Sequence, residues 1–552
     1  MTLFKNKSLT YQLIIAVIAG LLFIPFLGGV HLFDWDEINF AESAREMIAT
    51  GDYLTVRINY LPFWEKPPLF IWMQVLSMKI FGVNEFAARF PDAVCGIVTL
   101  LVLFNIGKKL YDERMGLIWV LVYAGSILPF VYFKSGIIDP WFNLFIFLGI
   151  WFFILYQDTF SNFSRKWAVV LSALFIGLGI LTKGPVALLI FLITAGVFWF
   201  VNHFRFRFSF TDLLLFLGVL ILSGGFWFIL QILNGNFHII LDFIEYQVRL
   251  FNTQDAGHGG FLFYHFVVLF FGVFPASVFA LVGFRKDPSE NPSQKMFHRW
   301  MVILFWVVLI LFTIVRTKIV HYSSLCYFPL TFLAARVIYQ IVTKRRRYPG
   351  WFTPFIITIG VLYAILVGSL QFVDTFKQRI IDSGMIHDQF AVGNLQHNAD
   401  WTGAEFIIGL LLLAGLVTFL ILLRNGKTGR AIITVFTSVL LFTFLTVVYV
   451  APRIEGYSQR AAIEFYQSLQ GKDFYIGTLG FKSYAQYFYT RKPKPENANA
   501  YQNEWLMSGD IDKNAYFVTK INKKDRFLKQ YPQLEELYVK NGFVFLVRRS
   551  EK

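Results

Sequence analysis

The stretch WDEINFAESAREMIATGDYLTVRINYLPFWEKPPLFIWMQVLSMKIFGVNEFAARFP, residues 35–91, decides the topology of the whole chain. In its first third, Phe40, Ala41, Ala44, Met47 and Ile48 recur at helical spacing, so 37–49 reads as an amphipathic helix lying on a membrane surface. Its last third, PPLFIWMQVLSMKIF at 67–81, is apolar enough to pass for a membrane span. It is short, however, opens on Pro67-Pro68, and sets Gln74 and Ser77 on one stripe, which suits a helix in the interface rather than across it. Whether this segment crosses determines the side on which every later loop lies.

The rest of the chain supplies the test. Of 552 residues, 56% are hydrophobic and only 15% charged, against about 25% charged in an ordinary soluble domain. Such a chain cannot cover a water-facing surface, which excludes soluble, fibrous and disordered classes and leaves the bilayer as solvent. Apolar runs long enough to cross lie near 11–30, 86–107, 116–133, 137–157, 166–181, 184–201, 211–233, 261–284, 298–315, 319–341, 351–374, 402–424 and 430–449, an expected thirteen spans. The first is preceded by Lys5 and Lys7 without a clear small-residue cleavage site after it, which reads as an uncleaved anchor.

With 67–81 left in the interface, the N-terminus and the loops 108–115, 158–165, 202–210, 285–297, 342–350 and 425–429 fall on one side. They collect the large basic clusters, Lys344-Arg345-Arg346-Arg347 among them. The positive-inside rule makes that side cytoplasmic. The formal charge of +15, which in a soluble protein would point to nucleic acid, is then mostly topological, and no nucleic-acid partner is expected. A first loop, 31–85, and a tail after 450 are expected outside. In the tail, 457–469 reads as an amphipathic helix, 474–479 and the segments around 515–519 and 543–548 as strands, and 522–530 as a charged helix. The expected division is a membrane domain over 1–450 and a small α/β domain over 451–552. Cys95 and Cys326 sit far apart in apolar runs and suggest neither a disulfide nor a metal site.

Ionisable residues near membrane spans are costly and mark function. Here they gather at one face: Asp92 and Asp139 near outer span ends, Lys134, Lys183, Arg316, Lys318 and His321 in outer turns, Arg249 and His258 in the loop 234–260, and Arg57, Glu65 and Lys66 in the first loop. Scattered contacts to lipid headgroups would explain the cations blandly. The sharper reading is one pocket at the outer boundary for an anionic group carried on a lipid. Asp36 and Glu37 open the helix of the first loop, where a carboxylate can serve as a cap, as chemistry, or as both. A transporter would keep such groups at the midplane or on both faces, and a scaffold protein would not need them together, so the one-sided placement counts against both.

The same residues carry a resemblance. Asp36-Glu37, Ala44-Arg45-Glu46-Met47, Gly51-Asp52, Glu65-Lys66-Pro67-Pro68, Phe81-Gly82, Glu85-Phe86, Arg89 and Pro91 follow the pattern of the first outer loop in the ArnT-like and protein O-mannosyltransferase-like membrane glycosyltransferases. Further on, Leu181-Thr182-Lys183-Gly184-Pro185, Ile138-Asp139-Pro140 and the run from Lys318 through Tyr322 to Pro329 are similar to later motifs of that family. The resemblance implies a membrane all-α GT-C fold of about thirteen transmembrane helices, with interfacial helices in the first outer loop and a C-terminal extracytoplasmic α/β domain. It implies an inner-membrane enzyme with its N-terminus cytoplasmic. Such an enzyme moves one sugar, with inversion, from a polyprenyl phosphate donor to an extracytoplasmic acceptor: a lipid A-like glycolipid, a polysaccharide or a protein.

In that reading Asp36 is the catalytic carboxylate with Glu37 beside it. Arg57, Lys66, Lys183, Lys318 and Tyr322 bind the donor phosphate, whose charge grows as the glycosidic bond breaks. Glu65, Asp139, Arg249, His258 and His321 complete the substrate site. A hydroxyl acceptor needs a general base, whereas a phosphate acceptor is already ionised. No cofactor is required. A divalent metal stays possible through Glu65 and His258, two ligands being too few for a closed site.

Overall fold

A computed structural model describes residues 7–33, 35–204, 208–252 and 260–550. It is a helical membrane bundle carrying a small mixed domain at one end. Among the described residues, eight helices are long and apolar enough to cross a membrane, or up to eleven if each of three bent pairs counts as one span. The bent pairs are Glu113–Ala124 with Ile127–Lys134, Phe210–Gly224 with Phe226–Leu233, and Tyr264–Gly272 with Ala276–Gly283, broken by 83°, 61° and 112°. Three shorter apolar helices remain: α1 (Lys7–Phe23), α3 (Leu69–Phe81) and Val186–Val201.

Inside lipid, helices associate through packing rather than water exclusion. Two devices serve it here. One is aromatic interdigitation: Phe147 stacks on Phe328 at 4.3 Å and Phe198 on Trp300 at 4.4 Å. The other is close backbone approach. A Cβ on Gly107, in α4 (Glu85–Leu110), would stand 2.9 Å from the Cα of Gly116 in the next helix. Two of the loops expected on one side, 108–115 and 285–297, meet beside the helix Tyr327–Val342. There the Glu290 carboxylate takes a bidentate contact from Arg336 and a 2.5 Å hydrogen bond from Tyr111, and Tyr339 donates to Asp112.

α2 (Asp36–Thr50) follows Trp35 and stops at Gly51, whose left-handed φ of 71° lets its N–H close on Met47. The amphipathic pattern leads one to expect a helix resting on the membrane with its polar face in water. Instead every residue from Glu37 to Met47 is buried. The mixed domain covers the second face, and the charges there are matched inside the protein: Arg45 makes a two-pronged contact with Glu42, and Tyr60 N–H donates to Glu46. Burial, then the adjacent Glu42, pushes the Glu46 carboxyl up to about 9, so it keeps its proton at neutral pH. A two-residue antiparallel pairing of β1 (Arg57–Ile58) with β2 (Leu61–Pro62) folds the loop back.

The last helical stretch of the bundle continues to Gly456, and the mixed domain follows. Its sheet has the order β3 (Tyr475–Leu479), β4 (Ala515–Lys520), β6 (Phe543–Arg548), β5 (Glu535–Lys540), with β3 and β4 parallel and the other pairs antiparallel. Helices Arg460–Ser468 and Lys524–Gln530 and three of the strands lie where the sequence puts them. β5 was not legible: it is exposed along its whole length, and a Glu/Lys-bearing edge strand shows no apolar alternation to find. Both cysteines are free and buried.

Candidate active site

The helix Asp139–Gln157 packs antiparallel against Arg165–Lys183, so the first residue of one lies beside the last of the other. That is why Asp139 and Lys183, far apart in sequence, form an ion pair. Gly184 ends the second helix with φ +97°, and a Cβ there would press to 2.5 Å on Phe243, so the Thr-Lys-Gly-Pro turn needs its glycine for both reasons. The Lys183 ammonium also lies 5.3 Å from the Tyr322 ring centroid and 5.6 Å from that of Phe142.

Above this pair, His321 Nε2 is 3.2 Å from Asp36 Oδ2 and 3.9 Å from Asp139 Oδ2. Asp36 is the first residue of α2 and Trp35 holds the cap position, with no side-chain capping bond there. The cap alternative therefore gives way to the contact with His321. Burial alone would raise the Asp36 carboxyl. The His321 hydrogen bond and charge, followed by the charges of Lys183 and Lys66, outweigh it and hold the group down at about 2. Asp36 is thus a carboxylate at any physiological pH. Below it Ser324 Oγ ties Tyr132 and Asn143 together at 2.6 and 2.7 Å and fixes the floor.

These groups line one cavity of about 450 Å³, within the range of small-ligand sites. Asp36, Glu65, Lys66, Asp139, Lys183, Arg249, His321 and Tyr322 all reach it, and so does an apolar wall that includes Leu189, Ile190, Phe312 and Val315. The cations therefore occupy the same space as the carboxylates and an oily flank, the composition an amphiphilic phosphate would need.

Three expected residues stand elsewhere. Arg57 donates to Asp52 at 2.7 Å within the folded-back loop and does not line the cavity. Lys318 donates to the carbonyls of Phe312, Thr313 and Val315 at 3.0, 2.6 and 2.7 Å, closing the C-terminal end of the helix Pro292–Ile314. An ammonium with three carbonyl acceptors is a helix cap, because unsatisfied carbonyls at a helix end attract cations. Glu37 does not line this cavity. It takes both prongs of Arg89 at 2.8 and 2.7 Å together with the N–H groups of Gly136 and Phe33, while Arg89 also gathers the carbonyls of Leu27, Val30 and His31. Burial works against its charge, but Arg89 and those hydrogen bonds keep the Glu37 carboxyl below its ordinary range. Glu37 is thus held in a clamp with Arg89 that seats the start of α2. His258 lies outside the described residues. Among the described residues no three His, Cys, Asp or Glu side chains come together as a metal site.

Several cavity residues escaped the sequence reading, Trp35, Phe63, Lys482 and Tyr484 among them. Lys482 and Tyr484 come from the turn after β3 in the mixed domain and line the same cavity. No motif marks them, since their relevance depends on the docking of two regions more than 400 residues apart.

Residues 65–227 match the family model described as dolichyl-phosphate-mannose-protein mannosyltransferase. The chain is 27% identical over 369 residues to the undecaprenyl phosphate-alpha-4-amino-4-deoxy-L-arabinose arabinosyl transferase of Edwardsiella ictaluri, covering 65% of this chain and 66% of that one. It is 26% identical over 365 residues to the enzyme of the same name from Pectobacterium carotovorum, covering 65% and 64%. The chain therefore spans just under two thirds of the length of these curated relatives. In fold the likeness runs over nearly the whole chain: the crystal structure of ArnT from Cupriavidus metallidurans bound to undecaprenyl phosphate superposes with a TM-score of 0.75 at 19% identity, covering 98% of both chains.

Proposed function

We propose that this chain, ArnT-like and of the GT-C type in fold and in sequence, is an integral-membrane glycosyltransferase. It moves one sugar from a polyprenyl-phosphate donor to an acceptor outside the cytoplasmic membrane, with inversion. One observation carries the reading: the Asp36 carboxylate shares a single cavity with Lys66, Lys183 and Arg249 and with an apolar wall. The relatives act on undecaprenyl phosphate sugars by name, and the superposed ArnT holds undecaprenyl phosphate, which supports that donor class here.

In this reading Lys66, Lys183 and Arg249 meet the phosphate and stabilise the charge that accumulates on it as the sugar leaves. Tyr322 and Lys183 border the donor end, and Glu65 and Asp139 orient the sugar. Asp36 faces the sugar from the acceptor side. A carboxyl held near 2 is a weak base, which favours an acceptor oxygen that is already ionised, such as a phosphate on a glycolipid. Donor binding would also neutralise two of the cations that depress Asp36, raising its basicity when both substrates are present. Thirteen crossings, with α1 and Val186–Val201 spanning, α3 interfacial, the N-terminus cytoplasmic and the mixed domain outside, complete the proposal in an inner membrane.

The family-model match over 65–227 favours a second reading, transfer to a Ser or Thr hydroxyl of an exported protein. Mass spectrometry of lipid A, cell-wall polymers and exported glycoproteins from cells with and without the gene separates the two. Loss of one sugar from a glycolipid supports the first reading, loss from a protein supports the second, and an unchanged envelope refutes both.

A further inference from the structure

The mixed domain reaches into the cavity through one turn, Lys482-Ser483-Tyr484, and what it presents there is specific. The Tyr484 ring lies face to face with Trp35, centroids 5.4 Å apart and planes 15° from parallel. The Lys482 ammonium sits 4.7 Å from the Trp35 centroid and 5.3 Å from that of Tyr484. Phe63 meets Tyr484 edge-on at 6.4 Å. All four side chains line the cavity, and Trp35 is the residue immediately before Asp36.

We propose that this turn recognises the acceptor: Lys482 takes an anionic group on a membrane-borne glycan, and the Trp35–Tyr484–Phe63 cluster packs against the adjoining sugar ring. The inference rests on the glycosyltransferase reading and deepens it by assigning the acceptor half of the site and its chemistry. Lys66 and Lys183 belong to the first loop and the bundle, whereas Lys482 belongs to the other domain and forms no ion pair among the described residues. An exposed ammonium held over aromatic faces with no carboxylate on it retains its capacity for an incoming anion. Aromatic rings beside it offer apolar area to the C–H face of a sugar at little cost in side-chain entropy.

The turn is also held still, as a recognition element must be. Ser483 Oγ accepts from Ala485 N–H at 3.2 Å, Gln486 donates back to Ser483 O at 2.8 Å, and Lys523 donates to Gly480 O. The helix that follows, Ala485–Thr490, is fastened to the first loop: Leu32 N–H donates to the Tyr489 hydroxyl at 2.7 Å, and just beyond it Lys492 donates to Asn59 at 2.6 Å while Tyr60 donates to Lys492 O at 2.8 Å. The position of Lys482 relative to Asp36 is therefore set by contacts on both sides of the turn.

The test uses the purified full chain in nanodiscs and three probes: lipid A, enzymatically dephosphorylated lipid A, and undecaprenyl phosphate. In the wild type, lipid A should bind at least tenfold more tightly than its dephosphorylated form. Lys482→Glu should remove that difference, Lys482→Arg should restore it, and Tyr484→Ala should weaken both lipid A forms while Tyr484→Phe does not. Undecaprenyl phosphate affinity should stay within twofold throughout. Lipid A binding unchanged in Lys482→Glu, or binding equally blind to phosphate in the wild type, overturns the proposal. Equal loss of undecaprenyl phosphate in Lys482→Glu overturns it too, by assigning the lysine to the donor. Failure of the wild type to bind undecaprenyl phosphate would instead tell against the glycosyltransferase reading itself.

Discussion

Asp36 and His321, one opening the first-loop helix and the other in a turn between bundle helices, meet at 3.2 Å, and the same imidazole reaches 3.9 Å toward Asp139, which Lys183 already neutralises. The row Asp36, His321, Asp139, Lys183 alternates acidic and basic groups across the cavity. Asp36 is 35% accessible while Asp139 is 5%, so the first presents far more of its carboxylate to the cavity than the second.

Asp36→Asn should lower sugar transfer by about 100-fold, the order of loss when a group that orients the reacting atoms is removed, without lowering the melting temperature. The change is nearly isosteric, and the side chain is not part of the helix cap. A transfer assay beside a thermal melt checks it, and wild-type turnover in this variant would remove Asp36 from the chemistry.

His321→Gln bears on pH. With the His321 hydrogen bond and charge gone, burial counts for more and the Asp36 carboxyl rises from about 2 toward or above its ordinary 3.8. The acid limb of kcat/KM should therefore move to higher pH. The same shift fixes the sign for stability. A depressed carboxyl stabilises the fold fully above its unfolded value and loses that contribution as pH falls to about 2, so the variant's stability deficit is full at neutral pH and disappears toward pH 2, where the wild type has lost the contribution too. An acid limb that stays in place would show that Asp36 does not set it.

Lys66→Ala should weaken donor binding by about 10- to 100-fold, as expected for removing a charge-assisted hydrogen bond of about 1.5–3 kcal/mol. Lys183→Ala leaves Asp139 buried without its partner and should cost more. Lys183→Ala combined with Asp139→Asn should recover part of the folding loss but not donor affinity. Undecaprenyl phosphate titrations on the three variants separate the electrostatic role from the structural one.

Glu37→Gln breaks a buried, bidentate pair and leaves Arg89 without a counter-charge, which costs about 3–5 kcal/mol in comparable sites. The expected result is a lowered melting temperature with activity falling in proportion to folded protein. Retained stability with lost turnover would return Glu37 to the catalytic group.

Lys318→Met should behave likewise on a smaller scale. Three carbonyls at the end of Pro292–Ile314 lose their donor, so stability falls while undecaprenyl phosphate affinity holds. A donor-affinity loss matching that of Lys66→Ala would contradict the cap assignment.

Reading the sequence found the membrane class, the short apolar α3, and most of the charged residues that line the cavity, because each is written locally. A run of apolar residues reports its solvent, and a lysine in a two-residue turn between spans is already at the membrane boundary. The same reading put Lys318 and Arg57 with the phosphate, for it could count cations near the boundary but not see which had acceptors of their own. Three carbonyls in one case and Asp52 in the other had already taken them.

What the chain determines by itself is therefore where each charge sits along the membrane normal and which helix end bears it. Which charges face one another was decided only by tertiary packing. The antiparallel seating of Asp139–Gln157 on Arg165–Lys183 joins Asp139 to Lys183, and the docking of the mixed domain on the first loop buries α2 and carries Lys482 and Tyr484 over Asp36. Those contacts join residues hundreds of positions apart, and no local period or propensity encodes them. Depth follows from hydropathy residue by residue, whereas partnership follows from how whole helices and domains fit.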